Sequence, residues 1–219
     1  MSKSIVLFIV VISAALPLRA TGSVSDRNRN DYLVPSDAFI EPAYRKLLDR
    51  KLFGTRANYA RITVFPSTVS RGEFTFAIHS ISQSAALTRT AAASDLWHAA
   101  SDANGVIAPD VEVKVTRVEK PFPHGTALLV STAIERMLAK IKPTLNTGRI
   151  IVDGTLVVVS VEGGAEPSVE GALRPDANGR RSRALRRLAD LLDAYCDAKK
   201  SGRPQLIRKI DATARQMLE

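Results

Sequence analysis

The chain has one cysteine in 219 residues. That excludes an internal disulfide and any cysteine-rich zinc module. Histidine is scarce too: only His79, His98 and His124 occur, and no two of them stand at His-x-x-x-His spacing. Aromatics make up 5% of the residues, with one tryptophan, so platforms for stacking single-stranded bases are few. The chain also lacks a Gly-x-Ser-x-Gly elbow and a Ser-x-x-Lys pair. Gly163-Gly164 is not followed by the Lys-Ser/Thr of a phosphate-cradling loop. The longest apolar run, Ile5 to Leu16, has 12 residues, short of the roughly 20 that span a bilayer.

What is present describes a folded, exported chain. A hydrophobic share of 45% with 24% charged residues suits a globular protein of one domain, or two small ones. Residues 1–20 read as a secretory signal peptide. Lys3 opens them, the apolar run follows with small residues toward its end, and Pro17 to Ala20 close them. Cleavage after Ala20 is expected, placing the mature protein in a periplasm or outside the cell. Residues 21–35 are polar and turn-rich and read as a flexible leader.

The net charge of +9 is unevenly spread. Residues 180–219 hold eleven basic and five acidic residues, whereas 21–179 are almost balanced. The excess belongs to the C-terminal end, so any anion-binding argument is local.

Periodicity sets the expected elements. Phe39, Ile40, Ala43, Tyr44, Leu47, Leu48 and Leu52 form a helical stripe capped by Ser36 or Asp37. Tyr59 to Phe65 and Gly72 to Ser82 read as strands. Residues 83–103 are ambiguous between weak helix and loop. Val111, Val113 and Val115 alternate with polar residues as a half-buried strand, and Pro121-Phe122-Pro123 reads as an extended connector. Thr126 to Lys142 is an amphipathic helix. Asp153-Gly154 signals a hairpin between Ile150–Val152 and Thr155–Val161. The consecutive apolar residues there point to a strand covered on both faces. Residues 163–179 read as loop or linker, and helices follow over about 183–200 and 204–218.

The expected fold is α+β: a mainly antiparallel sheet with packed helices and a C-terminal helical pair. Residues 36–162 form the α+β core, and 180–219 form basic helices packed on it.

Chemistry is sparse. His124, between Pro123 and Gly125, and His79, on a strand, are weak candidates for a general base. Asp102-Ala103-Asn104-Gly105 and Asp176-Ala177-Asn178-Gly179 match the middle of a calcium loop. The closing ligands would be Val111 and Leu185, so both read as turns. No metal and no cofactor is expected.

One feature breaks a local rule. Arg180, Arg181, Arg183, Arg186 and Arg187 sit at a helix start, where cations oppose the helix dipole. They read either as a solvated face paired with Asp190, or as an anion site for lipid or lipopolysaccharide phosphate or an acidic protein. Export and the few aromatics make nucleic acid a poor fit. Helix 204–218 has an apolar stripe that suits the core, a membrane surface or a second copy. Cys196 is either a buried thiol or a link between chains.

The leading expectation is an exported, non-catalytic binding module with a basic C-terminal contact surface. The alternatives are a periplasmic or secreted hydrolase acting on an envelope substrate, and a structural subunit that oligomerises.

Overall fold

A computed structural model describes residues 31–53, 59–67, 71–81, 83–102, 104–108, 110–142, 154–163 and 166–219. The expected signal peptide over 1–20, residues 21–30 of the expected leader, and the Ile150–Val152 arm of the expected hairpin with Asp153 of its turn lie outside them.

Among the described residues, seven strands form one antiparallel sheet. They are β1 (Val34–Pro35), β2 (Ala60–Phe65), β3 (Phe74–Ile81), β4 (Ser84–Ala92), β5 (Val115–Phe122), β6 (Leu156–Gly163) and β7 (Glu166–Leu173). Their order across the sheet is β1-β7-β6-β2-β3-β4-β5. Five α-helices among the described residues accompany them: α1 (Pro42–Leu48), α2 (Leu96–Ala100), α3 (His124–Leu138), α4 (Arg180–Asp197) and α5 (Arg203–Leu218). The fold is α+β with a C-terminal helical pair.

Side-chain alternation divides the sheet into two faces. Ile62, Val64, Phe74, Phe76, Ile78, Leu87, Val157, Val159 and Leu173 pack beneath α3, α4 and α5 in the larger core. Leu47, Leu48, Leu52, Leu96, Val158 and Ala172 join the smaller core with α1 and α2. Val157, Val158 and Val159 are thus buried on alternate faces of one strand, which explains the unbroken apolar run.

Several expected elements are corrected. The single helix over 36–52 is a 3-10 turn (Ser36–Ala38), then α1, then a π-helical turn (Asp49–Phe53). Pro42 restarts the chain because it lacks an N–H for a preceding turn and suits a first helical position. Residues 83–103 are neither one helix nor loop; they hold β4 and α2. β4 is hidden in the sequence because its inward residues are mostly Ala and Thr. Its paired neighbour β3 supplies the large side chains.

The strand expected over 111–116 lies further on, at β5. Pro121 and Phe122 belong to it rather than to a connector. β5 is a sheet edge, where a proline lacking an N–H is tolerated. Residues 163–179 are not simply a linker, since β7 occupies half of them and pairs with β6. Gly171 permits this: a Cβ there would stand 3.1 Å from both Leu33 and Ile141. The flexible leader ends earlier than expected, because Val34–Pro35 pairs with β7 and Leu33 is fully buried.

Candidate functional site

The basic end of the chain is an antiparallel helical pair whose apolar stripes pack largely into the larger core. Leu185, Leu188, Leu192, Tyr195 and Cys196 of α4 and Ile210, Ala214 and Met217 of α5 are buried in the larger core. Leu206, Ile207 and Leu218 pack against it. The stripe of helix 204–218 is therefore used mainly in packing against its own chain. Tyr195 donates to the Pro121 carbonyl at 2.6 Å and stacks edge-on with Phe122, fixing α4 to β5.

The acidic side of α4 is also engaged. Asp193 and Asp197 do not continue a run of pairs along their own helix. Arg89 of β4 reaches Asp193 at 2.6 Å and Asp197 at 2.8 Å, and Arg71 reaches Asp193 at 2.7 Å. The Arg89 hydrogen bond holds the Asp197 carboxyl below the usual carboxylate range. Burial, with Asp193 nearby, pushes Asp190 up. Asp190 forms no ion pair with Arg186 or Arg187 among the described residues.

The five expected arginines are not gathered into one site. Arg180 pairs with Glu219 at the far end of α5. Arg183 donates to the Asn178 carbonyl. Arg186 turns back on the preceding loop, donating to the carbonyl of Ala177 and to those of Arg174 and Pro175 at 2.9 Å each. Burial holds its guanidinium below the usual range. Arg183 and Arg186 thus clamp the turn that enters the helix, serving its carbonyls.

Ser182 is not the N-cap; Gly179 is. The missing cap is supplied by Asp31, whose carboxylate accepts from the N–H of Arg181 at 3.1 Å and of Ser182 at 2.8 Å. It also accepts from the Ser182 hydroxyl at 2.9 Å. A Cβ at Gly179 would lie 2.3 Å from Asp31, so only glycine admits the carboxylate.

Of the five, Arg187 lines a cleft. It meets Gln205, Arg208, Lys209, Ala212, Thr213 and Gln216 of α5 around an open space of about 310 Å³. No carboxylate and no aromatic ring lines it. Among the described residues, the side chains of Arg187, Arg208 and Lys209 have no ion-pair or hydrogen-bond partner. A second cleft of about 470 Å³, beside α1, is electrostatically mixed. Glu41 shares its wall with Lys46 and Arg50, and Arg50 already pairs with Asp110 at 3.1 Å.

The histidines do not converge with these clefts. His79 is buried on β3, and His124 is the first residue of α3. His98 pairs with Asp95 at 3.1 Å on exposed α2. Neither cleft is lined by a histidine. Buried Glu73 accepts from the Tyr44 hydroxyl and, at 2.7 Å, from the Leu96 N–H. Burial is the main reason the Tyr44 hydroxyl is held far above its usual range. This pair anchors α1 and α2 to the sheet. Arg45 joins Glu170 through both guanidinium nitrogens and ties α1 to β7.

Among the described residues no cluster could hold a metal ion, and no helix is long and apolar enough to cross a membrane. The Asp102 carboxylate accepts from its own loop at Asn104 and Val106, as an Asx turn does. Cys196 is buried, and burial pushes its thiol up to about 11. It does not present a thiol for linking chains.

Sequence reading missed Arg208, Lys209, Gln205 and Gln216 as site residues. Their signal was a polar stripe opposite the apolar one on a single helix. What brings Arg187 to that stripe is the side-by-side packing of two helices, which spacing along one helix does not encode. Comparison with family models, curated proteins and solved structures finds no match for the chain.

Proposed function

We propose that the chain is an exported, non-catalytic binding module that meets an anionic partner through the outer face of α4 and α5. The observation that carries this reading is the cleft where Arg187, Arg208 and Lys209 gather without a carboxylate in its wall. Clustered cations repel one another, and an anion relieves that repulsion. The apolar stripes of both helices are covered, so the outward surface offers charge and hydrogen bonds. Export rests on the signal peptide read in residues 1–20.

The test compares the mature chain with an Arg187→Ala/Arg208→Ala/Lys209→Ala variant on immobilised heparin and on anionic vesicles at rising salt. The native chain is expected to elute from heparin at distinctly higher salt, because each lost cation lowers the salt dependence of binding. Identical elution of the two proteins contradicts the reading. Mass spectrometry of the exported protein is expected to find Thr21 as its first residue.

A further inference from the structure

We infer that the cleft between α4 and α5 is a site for a single phosphomonoester group, held by Arg187, Arg208 and Lys209 with Gln205 and Gln216 at its margins. The inference rests on the reading of this face as anion-binding and names the ligand chemistry.

Charge is the first argument. A phosphomonoester carries about −1.5 to −2 at neutral pH, whereas a phosphodiester carries a single charge. Three cationic residues from two helices line this wall, with no carboxylate among them. They match a near-dianion better than a monoanion. The guanidinium forks of Arg187 and Arg208 suit two oxygens of one phosphate, and the Lys209 ammonium serves as a point charge.

Availability is the second argument. Several other arginines on and around these helices are committed, although Arg181 and Arg215 are not among them. Arg180 holds Glu219, Arg186 holds three carbonyls, and Arg71 and Arg89 hold the α4 aspartates. Among the described residues, the three cleft cations hold nothing. Asp190 lies one turn along α4 from Arg187, but its electrostatic neighbours are Asp193 and Arg71.

Size and lining are the third argument. At about 310 Å³ the cleft stands at the lower end of small-molecule sites, which run from roughly 300 to 1,000 Å³. It admits one headgroup rather than a run of chain. No aromatic ring lines it, so neither a nucleobase nor a sugar face would be stacked. The phosphate itself would be recognised, with the glutamine amides reaching its ester oxygen or a neighbouring hydroxyl. The same chemistry occurs in a soluble phosphate ester and in a monoester lipid headgroup.

The experiment titrates the mature chain with glycerol 3-phosphate by calorimetry. In parallel it measures binding to phosphatidylcholine vesicles containing either phosphatidic acid or phosphatidylglycerol. Arg208→Ala and Lys209→Ala are compared with Arg215→Ala, which removes the same charge from the same helix outside the cleft wall. One glycerol 3-phosphate is expected per chain. The two cleft variants are expected to bind it about tenfold or more weakly, the scale of a lost charge-assisted hydrogen bond. Arg215→Ala is expected to stay within about twofold of native. Preference for phosphatidic acid vesicles over free glycerol 3-phosphate identifies a lipid source, and the reverse identifies a soluble one; either supports the site.

Equal losses in Arg208→Ala and Arg215→Ala overturn the site in favour of diffuse attraction. Retention on heparin with no binding of glycerol 3-phosphate and no preference for phosphatidic acid over phosphatidylglycerol vesicles overturns this inference and leaves the broader reading standing. Failure to bind any of these anions overturns both.

Discussion

Asp31 acts on residues 150 positions away. Its carboxylate takes three hydrogen bonds at the start of α4 and places a negative charge where the helix dipole favours one. Asp31→Ala should therefore lower stability by about 0.5–2 kcal/mol, the usual scale for a lost N-cap. Urea unfolding measures this. Asp31→Asn, which keeps an acceptor, should lose less. Cys196 gives a second residue-level expectation. Its thiol is buried and pushed up to about 11 by that burial. In native protein near pH 8 it should stay unmodified by a thiol reagent that labels the unfolded chain at once. Rapid native labelling would mean that α4 is not packed as described.

At the scale of elements, α4 is docked by an ion-pair network as well as by its leucines. Arg89 is half-buried in a sheet strand and is shared between Asp193 and Asp197. Asp197 titrates below the unfolded chain, so its contribution is complete above the unfolded value of about 3.9. It is lost as pH falls through the lower folded value. The native chain should therefore lose stability between about pH 4 and pH 2 more steeply than Asp197→Asn. Asp49 and Asp190 are raised by burial and act in the opposite sense. The difference between native and variant isolates Asp197, and urea midpoints across that range read it. Elements with strong periodicity were legible in the sequence. α3, α4 and α5 lie within a few residues of their expected spans, because a stripe such as Leu185, Leu188 and Leu192 has one consistent period. β4 and β7 were not legible. Ala85 to Ala92 and Glu166 to Leu173 carry small, polar and turn-forming residues whose strand state is imposed by their neighbours. The arginine run was legible as charge, but its division into clamps and one cleft residue depends on carbonyls at 174–178 and on α5.

At the scale of the molecule, charge and apolar surface are sorted to different places. Both faces of the sheet are covered by helices, and α5 closes the larger core with Ile210, Ala214 and Met217. The large apolar residues exposed among the described ones, Tyr59, Val106, Leu128 and Val169, stand at four separate points in the chain. The described surface is therefore mostly polar. The most basic stretch of that surface is the C-terminal pair, and three of its unpaired cations line one cleft. The central claim is that this cleft, and not the whole arginine run, receives the anion. Backbone amide shifts followed by NMR during a glycerol 3-phosphate titration test it most directly. The account predicts saturating shifts at Arg187 and across Gln205 to Gln216, with Arg180, Arg183 and Arg186 left in place on their own partners. Shifts centred on residues 174–186, or spread evenly over every exposed lysine and arginine, would contradict it.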